Sequence, residues 1–139
     1  MSRKTAREVA MMLIFARMLG GEDEYRCVLD QSGIMEEPPQ EDIDFADSLV
    51  LGIEANKEQI DRLIAQSAIG WTINRMPNVD LCILRIALYE MMYRSDIPHS
   101  VSINEAVELA KRFAGDKSPA YINGILGTLS KELSNSTQI

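Results

Sequence analysis

Between Val79 and Tyr93 the chain reads Val-Asp-Leu-Cys-Ile-Leu-Arg-Ile-Ala-Leu-Tyr-Glu-Met-Met-Tyr. Wound at ~100° per residue, Val79, Leu81, Cys82, Ile83, Leu84, Ile86, Ala87, Leu88, Met91 and Met92 cover nearly the whole circumference, the mark of a helix buried on most sides. Such a helix is stable only at the centre of something, so the rest of the chain must supply the elements that cover it. With 139 residues, 46% of them apolar and 25% charged, there is material for one domain with a sizeable core.

The flanking segments carry the same period. Thr5-Ala-Arg-Glu8 reads as a capping box, which predicts a first helix lined by Ala6, Val9, Ala10 and Leu13 and stopped at Gly20-Gly21, with residues 1–5 ahead of it as a mobile basic arm. A short helix is predicted over Tyr25–Gln31, and Ser32–Gln40, with Gly33 and Pro38-Pro39, is the clearest loop. From Glu41, the set Ala46, Leu49, Val50, Ile53 and then Ile60, Leu63, Ile64 predicts two helices meeting near 55–57, with Asn56 and Gln59 as a cap and Gly70 as the end. Asn78 is expected to cap the apolar helix. Ser95–Val101, which contains Pro98, is a predicted loop, and Ser102-Ile-Asn-Glu105 a second capping box ahead of Ile103, Ala106, Val107, Ala110 and Phe113. Ser118-Pro119 starts the last helix, lined by Ile122, Ile125, Leu126, Leu129 and Leu133, and residues 134–139 form a polar, frayed tail. No strand-like alternation or internal repeat competes with this pattern. The expectation is a single all-α domain, 1–139, of about seven helices.

Little in the chain points to catalysis. There is a lone histidine, His99, and Cys27 and Cys82 lie far apart without a CxxC spacing, so a reduced, cytoplasmic compartment is expected. No segment reaches the ~20 apolar residues that span a bilayer, and Met1-Ser-Arg-Lys-Thr5 leads into no cleavage site of the secretory kind. Phosphate-loop and dinucleotide motifs are missing, and the acidic residues lack the spacing of a calcium loop. Neither an enzymatic activity nor a cofactor or metal is expected.

The formal charge of −7 does not exclude a nucleic-acid partner, because it is unevenly spread. Residues 22–47 hold ten acids against the single base Arg26, an acidic run that reads as a solvated surface, while residues 1–21 hold Arg3, Lys4, Arg7 and Arg17 against Glu8. Screening over ~8 Å at physiological salt lets such a basic end act locally. On the first helix Lys4, Met11 and Phe15 fall on one side, roughly opposite Val9 and Leu13, with Arg7 flanking. Cations neutralise phosphate and a ring stacks an unpaired base; alternatively, Phe15 packs under the acidic segment and the cations only keep this end solvated. In the last helix Ala120, Gly124 and Gly127 form a stripe without bulk that invites a close approach, by a neighbouring helix or by a ligand backbone. Lys117, Tyr121 and Asn123 place a cation, a ring and an amide beside it. Arg85, inside the most apolar segment, calls for a structural ion pair with Glu105 or Glu90.

Ala6-Arg7-Glu8, Ile83-Leu-Arg-Ile-Ala-Leu-Tyr-Glu90, Ile97-Pro98, Val101-Ser-Ile-Asn-Glu-Ala-Val-Glu-Leu-Ala-Lys111 and Tyr121-Ile-Asn-Gly-Ile-Leu126, in this order, closely resemble the NusB family of transcription antitermination factors. The resemblance covers essentially the whole chain and is densest over 79–126. It implies two helical subdomains packed across each other and binding of single-stranded boxA RNA in ribosomal leader transcripts. It also implies a heterodimer with NusE, a protein of the small ribosomal subunit, that helps RNA polymerase read through terminators without catalysing anything. Carried over by position, it assigns RNA contacts to Arg3, Lys4, Arg7, Phe15, Lys117, Tyr121 and Asn123, and a NusE contact to Asp80. The chain departs from the family in a thinner basic arm, in Met11-Met12 where a polar residue is common, and in Phe15 where tyrosine is frequent. A different class of function, a helical adaptor binding NusE or a second copy of itself with weak or lost RNA binding, takes the thin arm and the acidic segment at face value.

Overall fold

The structure, a computed structural model, describes residues 3–20, 39–68 and 76–136. Within them the chain forms six helices and no strand: α1 (Arg3–Met18), α2 (Gln40–Ala55), α3 (Lys57–Ser67), α4 (Asn78–Tyr93), α5 (His99–Phe113) and α6 (Ser118–Ser136). The helix expected at Tyr25–Gln31, most of the following loop, Gly70 and residues 137–139 lie outside the described residues. No described helix is long and apolar enough to cross a membrane. The chain divides into two compact units, Met1–Ala55 and Asn56–Ile139.

In the first unit α1 packs on α2. Ala6, Val9, Ala10 and Leu13 face Ala46, Leu49, Val50 and Ile53 in its core, as the period predicts, and Phe45, Met11 and Ile14 join them. Burying each large side chain contributes roughly 1.5–3 kcal/mol. Gly20, at φ +90°, ends α1 by turning into the left-handed region that favours glycine, and its N–H reaches the Arg17 carbonyl at 3.0 Å.

In the second unit α4 is the central helix, touching α3, α5 and α6, while α6 also packs on α3 and α5. Leu81 through Leu88 are buried without interruption, Arg85 among them. The Arg85 guanidinium finds neither Glu105 nor Glu90. It forms a two-point pair with Asp61 on α3, Nε to Oδ1 at 2.8 Å and Nη2 to Oδ2 at 2.9 Å. A fork this planar satisfies two donors at once, which is what makes a charge tolerable at such depth. Cys82 sits beside it as an unreactive thiol, pushed up to about 12 by burial against the opposing pull of the Arg85 charge.

Helix starts depart most from the sequence pattern. α1 begins at Arg3, so Arg3 and Lys4 occupy its first turn rather than an arm ahead of it, and Thr5 is inside the helix rather than its cap. Asn56 precedes α3 without a side-chain capping bond. α4 and α5 are each preceded by a proline in extended backbone, Pro77 (φ −55°, ψ 139°) and Pro98 (φ −60°, ψ 145°), so Asn78 and Ser102 are not caps. Because α5 begins at His99, Ser102 lies one turn inside, and its hydroxyl donates instead to buried Glu90 at 2.9 Å. Ser118 likewise gives its hydroxyl to Asp80 rather than to its own helix, and α6 runs on through Ser136, past the predicted fraying point at Ser134. His99 links three elements: its Nε2 donates to the Met91 carbonyl at 3.2 Å, which leaves Nδ1 to accept from the Ser130 hydroxyl at 2.9 Å in the neutral ring.

Candidate nucleic-acid interface

Arg3, Lys4, Arg7 and Phe15 all belong to the first unit. Arg3 and Arg7 are four residues apart on α1, hence neighbours on one face. Both guanidinium groups lie over the ring of Phe45 on α2, their central carbons 4.6 Å and 5.3 Å from its centroid. Arg3 and Lys4 are exposed and Phe15 is half-buried. Arg7 and Met11 are not: each is 4% exposed, which corrects the expectation that this side of α1 lies outside the core. Asp42, within the segment read as a solvated acidic run, is buried as well.

Phe45 lies outside the apolar set that the period predicts, although it stands one residue before Ala46 and is buried with it on α2. The signal that would have found it is an aromatic embedded among Asp42, Asp44 and Asp47, too costly to leave in water without a use.

Lys117, Tyr121, Asn123 and Asp80 belong to the second unit. A hollow of about 350 Å³ is lined by Pro77, Asp80, Lys117, Ser118 and Tyr121. Here the start of α4 meets the start of α6. The Ser118 hydroxyl donates to the Asp80 carboxylate, 2.9 Å from Oδ1 and 3.0 Å from Oδ2. Burial pushes the Asp80 carboxyl above its ordinary value, and the Ser118 hydrogen bond opposes that shift. The Tyr121 phenol is pushed up by burial and by the negative charge of Asp80. Lys117 is exposed and Tyr121 half-buried. The two separate sequence assignments, an RNA region at Lys117 and Tyr121 and a partner contact at Asp80, therefore share one hollow. Asn123 lies apart from it, exposed on α6, where it lines a second hollow of about 550 Å³ with Ser100, Ile103, Asn104, Val107, Pro119 and Ala120. Among the described residues, a methyl group added at Gly124 or Gly127 would meet nothing within 4 Å.

A chain of this helical plan has known counterparts. The family model described as "NusB family" matches residues 4–131. The transcription antitermination protein NusB of Clostridium novyi (strain NT) is 43% identical over 133 residues, covering 94% of this chain and 99% of that protein. Among solved structures, T. maritima NusB superposes with a TM-score of 0.81 at 31% identity, covering 95% of this chain and 92% of that one. A structure of the antitermination factors NusB and NusE in complex with double-stranded RNA has the same fold, with a TM-score of 0.79 at 24% identity over 94% of this chain and 96% of that chain. The match runs through α1 and Phe45, through the central helix with its buried Arg85, and through α6 as far as Lys131, and on that ground this chain belongs to the NusB family.

Proposed function

We propose that this protein is a transcription antitermination factor that binds single-stranded boxA-type RNA of ribosomal leader transcripts together with NusE, helping RNA polymerase pass termination signals. The observation that carries the reading is the match to one family over residues 4–131, at 43% identity to a curated antitermination protein. The placement of the side chains supports it. Arg3 and Lys4 present exposed charge to phosphates, with Arg7 adding its charge from beneath. Phe15 and Tyr121 offer ring faces on which unpaired bases stack, and Lys117 and Asn123 supply a further cation and an amide. Asp80, at the start of α4, marks the NusE contact. No bond is made or broken in this work, and it takes place in the cytoplasm, on nascent transcripts.

The test is a salt titration of boxA RNA binding, with and without NusE. NusE is expected to raise the affinity. Neutralising Arg3, Lys4 and Arg7 together should flatten the slope of log K against log salt by up to ~0.7 per lost phosphate contact. An unchanged slope would remove these residues from the interface, and NusE binding with no RNA binding at any salt would point instead to a helical adaptor.

A further inference from the structure

The arginines of the first helix do not stand alone. Arg3, exposed, and Arg7, buried, share the ring of Phe45, a residue of α2 that is itself only 5% exposed. We propose that Phe45 is a positioning residue for RNA binding, holding the Arg3 guanidinium in place for a phosphate; the proposal rests on the RNA-binding reading above.

A guanidinium attracted to an aromatic face is held by its flat side against the ring's π cloud, so the contact restricts the orientation of the head. Arginine otherwise loses several freely rotating bonds when it grips an anion, and that ordering costs affinity. Phe45 lies in the core of the first unit, so its ring is a fixed platform, and the pull on Arg3 at 4.6 Å is the stronger of the two contacts by distance. Arg7, one turn on and over the same ring, keeps a second positive charge close to the phosphate without itself reaching the surface. The thin basic end of this chain is thereby compensated: few cations, but one of them already oriented.

Phe45→Leu keeps an apolar side chain in the core and removes the ring. It is expected to weaken boxA RNA binding about three- to tenfold, the ordering cost of one long side chain, while the salt slope stays as in the wild type because Arg3 still meets its phosphate. Arg3→Ala, in contrast, lowers both affinity and slope. In the Arg3→Ala background, Phe45→Leu should add little. Phe45→Tyr, which keeps the ring, should restore binding, and NusE binding should be unchanged throughout.

Should Phe45→Leu fail to fold, the arginine side-chain NMR signals of the wild-type protein decide: those of Arg3 should be shifted by the ring current, and random-coil positions would overturn the proposal. Wild-type affinity in a folded Phe45→Leu protein, or an equal loss of NusE binding, would also overturn it. Absence of boxA binding by the wild type overturns the antitermination reading itself, and the positioning role with it. The two failures are thus distinguishable.

Discussion

Each unit of the molecule ties two helices together with an arginine–carboxylate pair, and the two pairs differ in worth. In the first, Arg17 of α1 meets Glu54 of α2 with their side chains 34% and 52% exposed. In the second, Arg85 of α4 meets Asp61 of α3 with exposures of 6% and 20%. Water and salt screen the first pair, so holding two long side chains in one geometry costs about what the attraction returns. The second has exchanged hydration for two aligned hydrogen bonds, and its removal would leave a guanidinium inside an apolar helix. The same chemistry is decoration in one place and a structural requirement in the other, and depth alone makes the difference.

The largest expected effect follows from that contrast. Asp61→Ala should destabilise the protein by about 2–4 kcal/mol, somewhat less than a fully sealed pair because Asp61 retains some contact with water. Glu54→Ala should cost less than about 1 kcal/mol. Urea unfolding of both variants measures the comparison, and equal losses would break it.

The contrast also explains what was legible in the sequence. Apolar period located every described helix, because burial is a property of a residue and its close neighbours: Leu13, Leu49, Ile64, Ile83 and Leu126 are all buried where their spacing puts them. The starts of α2, α3, α4 and α6 fall within about one residue of their predicted places, but the caps were not legible, because capping is a local competition that a distant group can win. Ser102 and Ser118 have good capping chemistry, yet Glu90 and Asp80, buried and short of water, take their hydroxyls. Arg85 announced that it needed a carboxylate, but the choice of Asp61, 24 residues away, depends on how α3 lies against α4. At the candidate interface the cations and rings were readable as types. The platform under Arg3 was not, because only the packing of α2 on α1 brings Phe45 to it.

The Asp80–Ser118 contact gives the next effect in size. Ser118→Ala removes the donor from a buried carboxylate and should cost about 1–2 kcal/mol near neutral pH. The pH dependence has a definite sign. Burial holds the folded carboxyl of Asp80 above the ordinary value of 3.8, so the folded protein takes up this proton more readily than the unfolded chain. The stability linked to that proton is present below 3.8 and is lost as pH rises through the raised folded value. Measured against Asp80→Asn, which does not titrate, the wild type should lose stability over this window, and Ser118→Ala should extend the window upward. A wild type that gains on Asp80→Asn as pH rises would show that the hydrogen bond outweighs the burial.

The smallest effect is the most discriminating, because it compares two glycines with the same surroundings. Among the described residues, an added methyl group meets nothing within 4 Å at Gly20, after α1, or at Gly124, within α6. Space alone would predict the same outcome for alanine at both. Backbone conformation predicts opposite signs. Gly124 is in a helix, where alanine has the better propensity and a less free unfolded chain, so Gly124→Ala should stabilise by about 0.5–1 kcal/mol. Gly20 sits at φ +90°, where a Cβ is strained, so Gly20→Ala should destabilise by about 1–2 kcal/mol. Thermal unfolding separates the two. If Gly124→Ala stabilises the free protein and also weakens boxA or NusE binding, then the bare stripe on α6 is kept for a partner's close approach; if binding is unchanged, the glycine there is only a missed opportunity for stability.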